Sequence, residues 1–129
     1  MKLNPDCIRD ILVSVEEMDY NSVYTIQKLH EKLPTYSFEQ LNYHCLQMMD
    51  AGLINAKSME AVRCNIPQVW RIFDLTYSGH QFLAEIRSDT IWNRTKDVAK
   101  GVGSESIRSL KDIAVSIITL AVQNKLGLH

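Results

Sequence analysis

Apolar residues recur at helical spacing through the first third of the chain. Ile8, Ile11, Leu12, Val15 and Met18 fall three and four residues apart, on one face. Asn4 precedes Pro5, which places an N-cap ahead of a proline at the first helical position, where no amide hydrogen is missed. This pattern predicts a first helix over about residues 5–18. A second segment, Val23–Leu33, carries Ile26, Leu29 and Leu33 on one face and stops before Pro34. Ser37 is a good N-cap for a third helix reaching about Ala51, with Phe38, Leu41, Cys45, Met48 and Met49 as its inner stripe. Gly52 follows, as glycine does just past a helix end.

The period then changes. Leu53–Ala56 reads as a short strand, and Val69–Phe73, rich in β-formers, as a second. Between them Lys57–Gln68 is polar, mixed and broken by Pro67, which predicts a wing loop with a paired stretch near Ala61 and Val62. Thr76 can cap a fourth helix from Tyr77 to about Arg87, with Gly79, Phe82, Leu83 and Ile86 on one face. Having no side chain, Gly79 lets another element approach closely. Thr90–Ala99 offers a further helix capped by Asp89 or Thr90, and Gly101–Ser104 is a flexible joint.

The last helix, about residues 105–125, is apolar over well over half its circumference. A surface helix on one core needs a narrower stripe. We therefore expect it to contact both its own domain and another chain, through Ile113, Ile117 and Leu120, in a homodimer. Helix, helix, helix, strand, strand, helix is the order of a winged helix. The fold class expected is mainly α (α+β): a winged helix-turn-helix domain over residues 1–88 with a small antiparallel ribbon, then a helical extension over 89–129 for self-association.

Composition narrows the function classes. The net charge is −1, so bulk electrostatics do not favour polyanions. The charge is uneven: residues 1–90 hold 8 Lys and Arg against 12 Asp and Glu, and residues 91–129 hold 6 against 3. Cys7, Cys45 and Cys64 show no C-x-x-C spacing and read as reduced thiols in a cytoplasmic protein. His30, His44, His80 and His129 are scattered, so neither a metal nor another cofactor is expected. The N-terminus already reads as a helix start rather than a signal peptide. The longest apolar run, Ile113–Val122, is too short to span a bilayer.

In a helix-turn-helix reader the second helix of the motif enters the major groove. Here that is the third helix, whose outward residues are expected to be Glu39, Gln40, Tyr43, His44, Gln47 and Asp50. Gln40 and Gln47 suit adenine edges, and Tyr43 or His44 a phosphate or a thymine methyl. That face has no cation, so Lys28 and Lys32, with Lys57, Arg63 and Arg71 around the wing, would have to meet the phosphates. The leading expectation is a DNA-binding, transcription-regulator-like protein; the alternative is a protein-interaction module that uses the same Tyr43, His44 and Gln47 surface without nucleic acid. An enzyme is not expected. Gly101-Val102-Gly103 lacks the preceding strand and third glycine of a phosphate loop, and Asp74 has no second carboxylate at a telling spacing. His80 reads as a helix-start histidine bonding a nearby carbonyl, and Trp70 and Trp92 as core or interface residues.

Several segments carry a family resemblance: Tyr43–Ile54, Leu75–Leu83, Ile86-Arg87, Ile91–Lys96 and the opening Met1–Arg9. Their Gly-His-x-Phe-Leu and Trp-Asn-x-Thr-Lys elements are specific in combination. The chain resembles, over nearly its whole length, the family catalogued as domain of unknown function twenty-five-thirteen. The resemblance implies a bacterial, phage or prophage setting, with DNA or a host or phage protein as partner. It supplies no catalytic residue. Leu-Thr-x-x-Gly after a wing is also similar to the wing-to-helix join of winged-helix regulators.

Overall fold

The structure, a computed structural model, describes residues 1–127. Its elements run α1 (Pro5–Glu16), α2 (Ile26–Lys32), α3 (Phe38–Asp50), β1 (Ile54–Met59), β2 (Gln68–Leu75), α4 (Tyr77–Ile86), α5 (Asp89–Val102) and α6 (Ile107–Lys125). This is the expected mainly helical, winged-helix-like layout, with a two-stranded antiparallel ribbon and a C-terminal helix. The chain forms two compact units, Met1–His80 and a second starting at Gln81.

In the first unit each helix starts on a side chain that answers its free amides. Asn4 Oδ1 accepts from the N–H of Asp6 at 3.0 Å, and Thr25 Oγ1 from Lys28 at 3.1 Å. Ser37 and Gln40 form a reciprocal capping box at the start of α3. Ile8, Ile11, Leu12 and Val15 of α1, Leu29 of α2 and Leu41, Cys45 and Met48 of α3 are buried together with Leu53, Ile54, Val69, Ile72 and Leu75.

The second helix is shorter than its sequence suggests. Val23 and Tyr24 lie outside the helix, and Tyr24 exchanges both backbone hydrogen bonds with Ile72, at 2.9 and 2.7 Å. A β-branched and an aromatic residue favour such pairing, and the bridge satisfies Ile72 backbone groups that the ribbon leaves open. Conversely, β1 runs on to Met59, through residues that read as loop. Their polarity is compatible with the outer face of a ribbon, which looks onto solvent. The connecting loop is residues 60–67, and the pairing expected near Ala61 and Val62 does not form. Two register shifts, at Asn55/Ala56 and Lys57/Ser58, leave Phe73 and Trp70 without a partner opposite them.

Thr76 caps α4 as expected, accepting from the N–H of Gly79 at 3.0 Å. The Leu53 carbonyl lies so close to Gly79 that a Cβ there would collide with it. The same carbonyl accepts from the N–H of Thr76 at 3.0 Å, so the strand entry and the helix entry fix each other.

In the second unit α5 packs on α6. The cap of α5 is Ser88, one residue earlier than expected, and the helix continues through Gly101 and Val102. Only Gly103, at φ 74°, makes the turn. Ser106 caps α6. Trp92, Thr95 and Ala99 of α5 and Ile107, Leu110 and Ala114 of α6 are buried, which makes Trp92 the core residue it was expected to be. Among the described residues no helix is long and apolar enough to cross a membrane.

Candidate functional site

Two side chains of α3 lie differently from their helical bookkeeping. His44, expected outward, is buried. Its Nε2 accepts from the backbone N–H of Asn4 at 2.8 Å, and its Nδ1–H donates to the Gln40 carbonyl at 2.6 Å. Both ring nitrogens are therefore engaged, and His44 braces α3 against the start of α1. Burial lowers its pKa, and the Gln40 carbonyl partly opposes that shift. Phe38, expected in the inner stripe, is 49% exposed and stacks on His30 with ring centroids 4.3 Å apart. Asn42 is buried, donating through Nδ2 to the Pro67 carbonyl at 3.1 Å and accepting at Oδ1 from the N–H of Val69 at 2.8 Å. It staples the end of the 60–67 loop to α3. Nothing local in the sequence marks this role, because both partners lie more than twenty residues away.

Gln40 turns its side-chain oxygen back to the N–H of Ser37 at 2.9 Å, so part of its amide is engaged in the capping box. What α3 presents is the row Glu39, Tyr43, Leu46 and Asp50. Spaced four, seven and eleven residues from the first, they align along one helix face.

The 60–67 loop forms the opposite wall. A cleft of about 650 Å³ lies between Phe38, Glu39 and Tyr43 on one side and Cys64 and Ile66 on the other. A second, of about 360 Å³, runs past Leu46, Met49 and Asp50 to Pro67, with Gln47 also in its wall. Tyr43 and Ile66, the latter 52% exposed, belong to both. Together the two clefts make one groove with apolar walls, and its charged side chains are Glu39 and Asp50. Neither carboxylate forms an ion pair among the described residues.

The expected cations lie elsewhere. Lys28 forms an ion pair with Glu31 at 3.6 Å. Lys57 stands directly across the ribbon from Arg71, and the Arg71 guanidinium lies 4.3 Å from the ring centre of Trp70. Trp70, expected in a core or interface, is 39% exposed. Arg63 is exposed on the loop with a left-handed φ of 69°. Of the expected site residues, Tyr43 and Gln47 line the groove, Arg63 lies on the loop that forms its opposite wall without lining it, and Lys57 belongs to the ribbon.

The thiols of α1 and α3 are free and buried. Burial, helped by Asp10, pushes Cys7 up to about 12, and burial also raises Cys45. His80 lies 3.8 Å from the Asp74 carboxylate at the surface. No group of three or more His, Cys, Asp or Glu residues is placed to hold a metal ion among the described residues; His129 lies outside them.

On α6, Ile113 and Ile117 are half-buried and Leu120 is 56% exposed, with Val115, Val122 and Leu126 also exposed. No charged residue occurs between Asp112 and Lys125. The hydroxyls of Ser116 and Thr119 donate to the helix's own carbonyls at Asp112 and Val115.

A family model described as hypothetical protein (DUF2513) matches residues 2–105. An uncharacterized protein of Haemophilus influenzae is 32% identical over 120 residues, covering 92% of this chain and 97% of that protein. No solved structure gives a significant match.

Proposed function

We propose, for a chain that belongs to the family described as hypothetical protein (DUF2513), a non-catalytic winged-helix module that recognises another protein through the α3 groove. One observation carries this reading: the outward row of α3 is acidic at both ends and apolar between, and faces Cys64, Ile66 and Pro67 of the loop. DNA affinity rests on neutralised phosphates, and this face brings carboxylates instead. Clustered exposed apolar side chains mark interaction surfaces, and a tyrosine at the centre of such a patch is a common anchor. A bacterial or phage setting, with a host or phage protein as partner, is what the resemblance implies, and the free thiols suit the cytoplasm.

The same proposal includes self-association through α6. Its uncharged stretch suits a two-fold contact, in which a patch of one charge sign would face itself. The back-bonded hydroxyls of Ser116 and Thr119 leave no donor unmet on burial.

A second reading is DNA binding by the wing. Lys57 and Arg71 face each other without a carboxylate partner among the described residues, beside an exposed indole. Like charges opposed across a ribbon are unfavourable unless an anion joins them.

A photo-cross-linking residue tests the main reading. In place of Tyr43 it is expected to capture a partner in cells, and in place of the exposed Asn93 it is not. Equal capture from both positions, or none from either, overturns the proposal.

A further inference from the structure

The groove also carries information about what fills it. Glu39 and Asp50 are eleven residues apart on α3, which at 1.5 Å per residue sets them about 16 Å apart along the axis. Eleven residues are also close to three full turns, so both carboxylates rise from the same face. Tyr43 and Leu46 lie between them, and Phe38, Met49 and Ile66 supply further apolar wall. An extended chain covers about 3.3 Å per residue, so the distance between the two acids is spanned by about five residues.

We infer that the groove binds an extended segment of a partner protein, about five residues long, with a lysine or arginine at each end and bulky apolar residues between. This rests on the protein-recognition reading and specifies its partner. Two features favour such a segment over a purely apolar one. The acids stand at the two ends of the α3 row rather than at its centre, and neither forms an ion pair among the described residues. An apolar occupant without cations would leave both carboxylates facing a newly dried surface, which opposes docking. A segment with basic ends removes that cost and gains two exposed ion pairs. The Asn42 staple holds the Pro67 end of the loop wall against α3 before the segment arrives, which reduces the ordering that binding requires.

Four capped pentapeptides, titrated into the full chain and followed by amide NMR shifts, test this. Lys-Ser-Phe-Leu-Lys is expected to shift Tyr43, Leu46 and Ile66. Glu-Ser-Phe-Leu-Glu is expected to bind about tenfold more weakly, the combined effect of two exposed ion pairs. Lys-Ser-Gly-Ser-Lys and Ser-Ser-Phe-Leu-Ser, each lacking one half of the recognition, are expected to bind more weakly than the first. In the Glu39→Lys, Asp50→Lys variant, whose changes fall on exposed positions, the preference between the first two peptides is expected to reverse. Equal binding of the two charged peptides to the unaltered protein overturns the charge specification, as does a preference that survives the charge reversal. Shifts confined to other surfaces overturn the site, and so does a titration without shifts. The cross-linking experiment from position 43 decides separately whether the groove binds protein at all. Capture there, with no peptide preference here, leaves protein recognition standing and removes only the inferred segment.

Discussion

His44 Nε2 accepts the backbone N–H of Asn4 at 2.8 Å, joining residues forty positions apart in the sequence. The bond fixes the tautomer, because Nε2 must be unprotonated to accept and the proton on Nδ1 goes to the Gln40 carbonyl. It also anchors the residue whose side chain caps α1. One neutral imidazole therefore links the start of the first helix to the middle of the third.

A pH dependence follows. Burial lowers the His44 pKa from its ordinary 6.5. The unfolded chain then binds the proton more readily than the folded one, so stability rises with pH where they differ. Its contribution is fully present above 6.5 and is lost as pH falls through the folded value. Denaturant midpoints are expected to drop between pH 7.5 and pH 5.5. The His44→Phe variant should show a flatter profile over this interval. It should also be less stable at pH 7.5 by about 1–3 kcal/mol, since the Asn4 amide loses its acceptor. An unchanged slope in the variant would assign the titration to another group.

Asn42 gives a second prediction. Its amide satisfies the Pro67 carbonyl and the Val69 N–H together. Asn42→Ala leaves both without these partners and should cost about 1–3 kcal/mol. Faster hydrogen exchange is expected at Val69, with exchange at Leu12 in the core of α1 changing only through the global loss of stability. Equal local acceleration at both amides would mean that Asn42 supports the whole core rather than the loop.

Much of this architecture is legible along the chain because its causes are local. Asn4-Pro5, Ser37 and Thr76 each announce a helix start by chemistry confined to one turn, and each is seen in the structure. Gly79 signals a close approach through its lack of a side chain, and the Leu53 carbonyl makes that approach. What is not legible depends on distant partners. Tyr24 is drawn out of a helix by Ile72, and His44 and Asn42 are drawn inward by Asn4, Pro67 and Val69. Angular bookkeeping on α3 assigns polar residues outward and apolar ones inward, so it misplaces His44 and Phe38 alike. Glu39, Tyr43 and Asp50 of the row are visible in the sequence as single outward residues, and Leu46 is not. The groove is not, because its other wall is a loop whose placement depends on Asn42.

The third prediction concerns α6. Leu120 is 56% exposed within an uncharged stretch of helix. Light scattering at high micromolar concentration is expected to give the mass of a dimer. Leu120→Asp should convert it to a monomer without lowering the thermal midpoint of the isolated protomer, since the position is not in a core. Ile113→Ala and Ile117→Ala should weaken the dimer less, each removing part of a half-buried surface. A monomer at every concentration for the unaltered chain would rule out self-association.

The last prediction separates the wing from the groove. If DNA binds, Lys57, Arg63 and Arg71 on the wing, with Lys32 on α2, are the cations at hand, because Lys28 is already paired with Glu31 and α3 has none facing outward. Fluorescence anisotropy with a labelled duplex at low salt is the sensitive condition, since non-specific affinity is greatest there. Changing Lys57, Arg63 and Arg71 to alanine should then weaken binding to every sequence and reduce the salt slope by about one for each phosphate no longer neutralised. Trp70→Ala should weaken binding further if the indole and its stacked guanidinium meet the ligand together. Lys28→Ala should change little. Tyr43→Ala and Gln47→Ala would alter sequence preference only if α3 enters the major groove, and its acidic row argues that they will not. On the protein-recognition reading the pattern inverts: Tyr43→Ala abolishes partner capture, and the wing changes leave it intact. Tight binding of the unaltered protein to duplex at low salt, abolished by the three wing changes, would place DNA binding ahead of protein recognition as the function of this fold.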